Sequence, residues 1–104
     1  MKERFWLFGA TSTVASVRDR LSRALSIETT LHESDYRGGE YVLGRSASLR
    51  EVIIQRNFRD DDGYFAEADY PEISVLVYVT QGAADPPIPP LDELGLALLR
   101  VEEV

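Results

Sequence analysis

Cysteine is absent from this 104-residue chain, and histidine, tryptophan and methionine occur once each. Disulfides, thiolate metal sites and cysteine nucleophiles are therefore closed to it. With His32 as the sole imidazole, a serine hydrolase would have to be built around that residue. The nearest elbow-like run, Gly44-Arg45-Ser46-Ala47-Ser48, lacks the second glycine of G-x-S-x-G. His32 also stands alone as a metal ligand, because strand alternation sends Glu33 and Asp35 to the opposite face. Phosphate-cradling loops of the G-x-x-x-x-G-K-[ST] or G-x-G-x-x-G kind are missing. These gaps leave no nucleophile–base pair, so the expected protein is not an enzyme and carries no cofactor and no metal.

Long apolar runs are missing as well. None approaches the ~18–20 residues of a membrane helix. The run at 5–8 (FWLF), behind Lys2 and Arg4, is shorter than the ~7–15 residues of a secretory core. The expected location is the cytoplasm, without membrane contact. Length and ordinary hydrophobic content, 44%, point to a single domain over residues 1–104.

Bases are scarce beyond residue 56. Residues 1–56 carry a net charge of +2, residues 57–72 carry −5 and residues 73–104 carry −4, for −7 in all. Direct nucleic-acid binding needs clustered Lys and Arg to neutralise phosphates, so it is not expected here. Arg18, Arg20 and Arg23 share a predicted helix, but Asp19 interrupts them and they read as a solvated face.

What the chain does have is concentrated at residues 57–72, NFRDDDGYFAEADYPE. Six carboxylates (Asp60, Asp61, Asp62, Glu67, Asp69, Glu72) stand against Arg59 alone, beside four of the ten aromatic residues, Phe58, Tyr64, Phe65 and Tyr70. Solvation explains the charge but not the rings; a surface that docks on a basic partner uses both. A calcium loop fits less well. Asp60, Asp62, Gly63 and Asp69 fall at positions 3, 5, 6 and 12 of an EF-hand-like register, but position 1 is then Phe58, which has no side-chain oxygen.

Around this stretch the pattern predicts a buried strand at 4–9, then a helix N-capped by Thr11, Ser12 or Thr13, with Val14, Val17, Leu21, Ala24 and Leu25 as its apolar stripe. Alternation at 27–32, the Gly38-Gly39 turn, 40–44, a second turn at 45–48 and 49–56 read as a three-strand meander. A central strand follows at 73–79, covered on both faces. The proline-rich 83–90 reads as a stiff connector, or less readily as a polyproline ligand. Residues 91–94 are expected to form a short helix, and 96–101 either an edge strand or a continuing helix. The fold class is α+β: a mostly antiparallel sheet of five or six strands, with one long N-terminal helix and one short C-terminal helix packed on it.

The helix followed by Glu33-Ser34-Asp35-Tyr36-Arg37-Gly38-Gly39-Glu40-Tyr41, then Val52-Ile53-Ile54-Gln55-Arg56-Asn57-Phe58, then the acidic stretch, then Val75-Leu76-Val77-Tyr78-Val79, resembles a class of small bacterial immunity proteins. Members of that class neutralise toxin domains delivered by contact-dependent growth inhibition and related polymorphic toxin systems. The likeness covers residues 13–80 and implies a non-catalytic inhibitor of a cognate toxin domain, of the nuclease kind with a basic active site. Asp60, Asp61, Asp62, Tyr64, Phe65, Glu67, Asp69, Tyr70 and Glu72 are then the expected partner-binding residues, with Tyr36, Arg37 and Tyr41 next. The competing expectation is a small calcium-binding or general interaction module whose acidic loop serves solubility. Oligomeric state, and active-site occlusion versus an exosite, stay open at this level.

Overall fold

The two strands with the least polar sequences lie side by side. In a computed structural model, which describes residues 3–46, 49–82, 84–86 and 88–103, β1 (Arg4–Ala10) pairs antiparallel with β5 (Val75–Gln81). Beyond β5 come β4 (Glu51–Arg56), β3 (Gly39–Arg45) and β2 (Glu28–Ser34), and β6 (Ala97–Glu103) flanks β1. All pairings are antiparallel, in the order β2-β3-β4-β5-β1-β6. Four antiparallel steps separate β1 from β2, so the two run in the same direction at distant places in the sheet. A tight hairpin cannot join such strands, and α1 (Val14–Leu25), the one α-helix among the described residues, makes the crossover.

Thr13 caps α1 through Oγ1, which accepts the Ser16 N–H at 3.1 Å. Ser26 ends it in the left-handed region at φ 51°. Val17 and Leu21 of α1 sink into a core with Phe8, Val42, Val52, Ile54, Val75, Val77 and Val79. Ala24, assigned to the same stripe by spacing, is exposed. Two of the helix arginines serve as tethers rather than as a solvated face. Arg18 Nε donates to Thr29 Oγ1 at 2.8 Å and Arg20 Nη1 to the Leu94 carbonyl at 2.9 Å.

The expected short C-terminal helix is corrected to a single 3-10 turn, Asp92–Leu94. Pro89 and Pro90 stand before it and Gly95, at φ +79°, stands after it, which leaves no length for an α-helix. The segment that follows is a strand, because β1 offers it an open edge: Ala97 lies opposite Gly9 and Glu103 opposite Arg4. The proline-rich connector runs close to the core. Gln81 Nε2 donates to the Pro86 carbonyl, while Ile88 is part-buried and Leu91 buried. Pro87 and Ala83 of that stretch, and Ala47 and Ser48 of the second predicted turn, lie outside the described residues.

The sheet face away from α1 is also largely dry. Leu7, Ile53 and Leu76 are buried there, although no described helix covers them. The cover comes from residues 57–74. Their last turn reaches β1, where a side chain at Gly9 would meet Ile73 at 2.7 Å and Leu99 at 2.9 Å.

At the other end of the same cover, Gly38 (φ +79°) follows the 3-10 turn Asp35–Arg37, and a Cβ placed on it would run into the Phe58 ring. Gly39 (φ +111°) has nothing within 4 Å of that position. Gly38→Ala should therefore destabilise the fold by roughly 2–4 kcal/mol in urea denaturation, and Gly39→Ala by roughly 1–2 kcal/mol from backbone strain alone. Adding Phe58→Ala should recover part of the Gly38→Ala loss and none of the Gly39→Ala loss.

Candidate functional site

The acidic stretch is two structures in sequence. Residues 58–66 form a small hairpin, with Arg59 bridged to Phe65, the Asp60 N–H donating to the Tyr64 carbonyl at 2.9 Å and the Ala66 N–H to the Phe58 carbonyl at 2.9 Å. Its tip is held by its own carboxylate. Asp60 Oδ1 accepts from the N–H groups of Asp62 and Tyr64, both at 2.9 Å, and Gly63 supplies the positive φ that the turn needs. Asp60 therefore carries a structural duty. Asp61 and Asp62 project into solvent without an ion pair among the described residues. Arg59, the stretch's lone base, lies over the Phe65 ring at 5.1 Å.

From residue 67 onward the stretch turns inward. Glu67 accepts from Tyr78 Oη at 2.8 Å and from Arg100 Nη1 at 3.0 Å, so its carboxylate ties the loop to β5 and β6 together. Tyr70 Oη donates to the Leu99 carbonyl at 2.9 Å. Asp69 and Glu72 are exposed. Burial, reinforced by the Glu67 carboxylate, pushes the Tyr78 phenol well above the usual tyrosine range, and the Glu67 bond raises Arg100.

The residue that secures both halves is Asn57, which was not among the candidates. It is buried, and its Nδ2 donates to the carbonyls of Tyr70 (2.9 Å) and Ile73 (3.0 Å), while Oδ1 accepts the Glu67 N–H at 3.0 Å. Every polar atom of the side chain has a partner within the loop. A buried amide directly after an apolar strand was the available signal.

The hairpin forms one wall of an open groove of about 700 Å³ on the sheet face opposite α1. Asp60, Tyr64, Phe65 and Glu67 line that wall, and Asp35, Tyr36 and Arg37 line the end made by the β2–β3 turn. Two groups of candidates distant in sequence thus border one concavity. Its floor comes from Phe5, Glu51, Ile53, Gln55, Tyr78 and Thr80, which strand alternation collects on one face once the register is known. Arg37 is the groove's own cation. Nη1 donates to Gln55 Oε1 at 2.8 Å, and Cζ lies 5.5–5.9 Å from the rings of Tyr36, Tyr41 and Tyr78. Tyr41 also stacks on His32. Tyr36 and Tyr64 are the most exposed rings at 84% and 67%.

The Asp60 oxygen is engaged by backbone amides, and among the described residues no cluster of three or more His, Cys, Asp or Glu is placed to hold a metal ion. No described helix is long and apolar enough to cross a membrane.

By architecture the chain is a small α+β domain in which an ordered acidic hairpin walls an open groove on an antiparallel sheet. Comparison with protein-family models, with curated proteins and with solved structures finds no significant match.

Asn57→Ala would take a bond from the Ile73 carbonyl and the Glu67 amide, and leave the Tyr70 carbonyl with only the Ile73 N–H. It should lower stability by roughly 2–4 kcal/mol in denaturant titration and speed proteolysis within 58–73. A second expectation concerns alkaline pH. Because the folded-state value of Tyr78 is raised, its contribution to stability is complete below the ordinary tyrosine value and is lost as pH rises through the folded one. Stability should thus decline on the alkaline side, and less so in Tyr78→Phe. In Glu67→Gln the Tyr78 absorbance titration should move down only part of the way, since burial is the larger cause.

Proposed function

We propose that this chain is a non-catalytic immunity protein that binds and neutralises a cognate toxin, a nuclease domain with a basic active site. The observation that carries this reading is the state of the hairpin tip. Asp61 and Asp62 are exposed and unpaired among the described residues, yet they sit on a turn already fixed by five hydrogen bonds: two onto the Asp60 carboxylate, and the Asp60, Gly63 and Ala66 N–H groups onto backbone carbonyls. Charges on a preformed turn steer a basic partner and lose little conformational freedom on docking. Tyr36 and Tyr64, exposed on separate borders of the groove, supply ring surface for the desolvated part of such an interface.

Occlusion of the nuclease cleft follows from the same charges, since carboxylates repel the phosphates that the cleft is built to hold. The inhibitor needs no cofactor and no nucleic-acid contact of its own, and the cytoplasm, where a delivered nuclease would act, is its place of work.

The test is co-purification of the full chain with the toxin domain encoded beside it, followed by binding kinetics. Asp61→Asn/Asp62→Asn should slow association roughly threefold to tenfold at low salt and flatten its salt dependence. Asp60 is left intact because it holds the turn. Tyr64→Ala should instead act on dissociation, weakening the complex by about 1–2 kcal/mol. Failure to recover a complex, or association unchanged by the double substitution, would overturn the reading.

A further inference from the structure

The two ends of the groove are not electrostatically alike. At the turn end, Arg37 already places a guanidinium among Tyr36, Tyr41 and Tyr78. At the opposite end the strand register sets Phe5, Thr80 and Glu51 in one row across β1, β5 and β4. The carboxylate of that row is Glu51. Glu51 is half-buried, yet its carboxylate has no hydrogen bond or ion pair among the described residues. Arg45, one register step past the Gly44↔Val52 pair, makes no ion pair with it. The other carboxylate of the wall near Tyr78, Glu67, is taken by Tyr78 and Arg100.

Beyond Thr80, two strands from Glu51, the same row carries an uncovered ring. Phe5 is 40% exposed, an unusual state for a ring on the strand that anchors the sheet, and Tyr78, Ile53 and Phe65 line the same groove. A carboxylate without an ion pair among the described residues, with an uncovered ring two strands across the same row, is complementary to a long side chain with a cationic head and an apolar stem.

We infer that the Phe5–Glu51–Thr80 end of the groove receives a lysine or arginine side chain projecting from the basic partner, its charge on Glu51 and its methylenes against Phe5. This rests on the inhibitor reading for the identity of the partner, but not for the chemistry of the pocket. Glu51 and Phe5 become specificity-determining residues that the acidic hairpin does not contain.

Two measurements separate the inference from the reading beneath it. In the first, the ¹⁵N-labelled full chain is titrated with N-acetyl-arginine methylamide and N-acetyl-lysine methylamide, with N-acetyl-norleucine methylamide as the uncharged control. Amide shifts should localise to Phe5, Glu51, Ile53, Tyr78 and Thr80, and Glu51→Gln should weaken binding roughly fivefold. Shifts spread over the acidic surface, shifts unchanged by Glu51→Gln, or equal shifts with norleucine would overturn the inference whatever the toxin result. In the second, the Glu51→Gln and Phe5→Ala chains are assayed against the co-purified toxin domain. Faster dissociation with little change in association rate is expected, unlike Asp61→Asn/Asp62→Asn. A complex that responds to the hairpin substitutions and ignores Glu51→Gln would sink the inference while leaving the inhibitor reading intact.

Discussion

An asparagine side chain removed from water must place two N–H groups and one oxygen, or forfeit their solvation. Asn57 places all three on the segment that follows it, and its own backbone N–H bonds to the Ser74 carbonyl at 2.9 Å. The start and end of the 57–74 connection are thereby fastened to one point at the end of β4. What lies between inherits its position: the hairpin at 58–66, the Glu67 link to Tyr78 and Arg100, and the Tyr70 contact with β6. Hydrogen bonds of about 1 kcal/mol net do not by themselves order a segment this long, when each residue forfeits about 1–2 kcal/mol of backbone entropy. Burial of apolar surface over Leu7, Ile53 and Leu76 supplies the larger share, and Asn57 decides which conformation collects it.

That division of labour explains which parts of the molecule were legible in the sequence. The helix was readable because Val14, Val17, Leu21 and Leu25 repeat at its period behind a threonine cap, and the meander because Gly38-Gly39 turns the chain between alternating runs. Near-continuous apolarity at 73–79 marks a strand with both faces covered; the strand runs over Val75–Gln81 and sits fourth of six. Residues 96–101 are ambiguous in sequence because a run such as LALLRV suits either period. Only the vacant edge of β1 decides it.

The 57–72 stretch was legible as an outlier and opaque in its geometry. No periodicity governs a loop, so nothing in DDDGYFAEADYPE separates Asp61, which faces solvent, from Glu67, which faces the sheet. The register that gathers Phe5, Glu51 and Tyr78 on one floor is a tertiary fact with no local trace. Aromatic content gave a partial hint, and it reported two things at once. Phe58 and Tyr70 serve the fold, against Gly38 and the Leu99 carbonyl, whereas Tyr64 remains on the surface.

The charge pattern survives folding. Bases concentrated in the first 56 residues do not move in to neutralise the acidic stretch: Arg23 pairs with Asp19, Arg50 with Glu3, and Arg37 turns to Gln55 and three rings. Of the six carboxylates, Glu67 meets a guanidinium and Asp60 meets amides, which leaves Asp61, Asp62, Asp69 and Glu72 outward. Like charges a few ångströms apart in water cost about 1 kcal/mol or less per pair, so the clamp holds them in place readily. The order of the loop is owed to the sheet face it covers, and its outward carboxylates inherit that order. Carboxylates held in place favour one shape of partner over others.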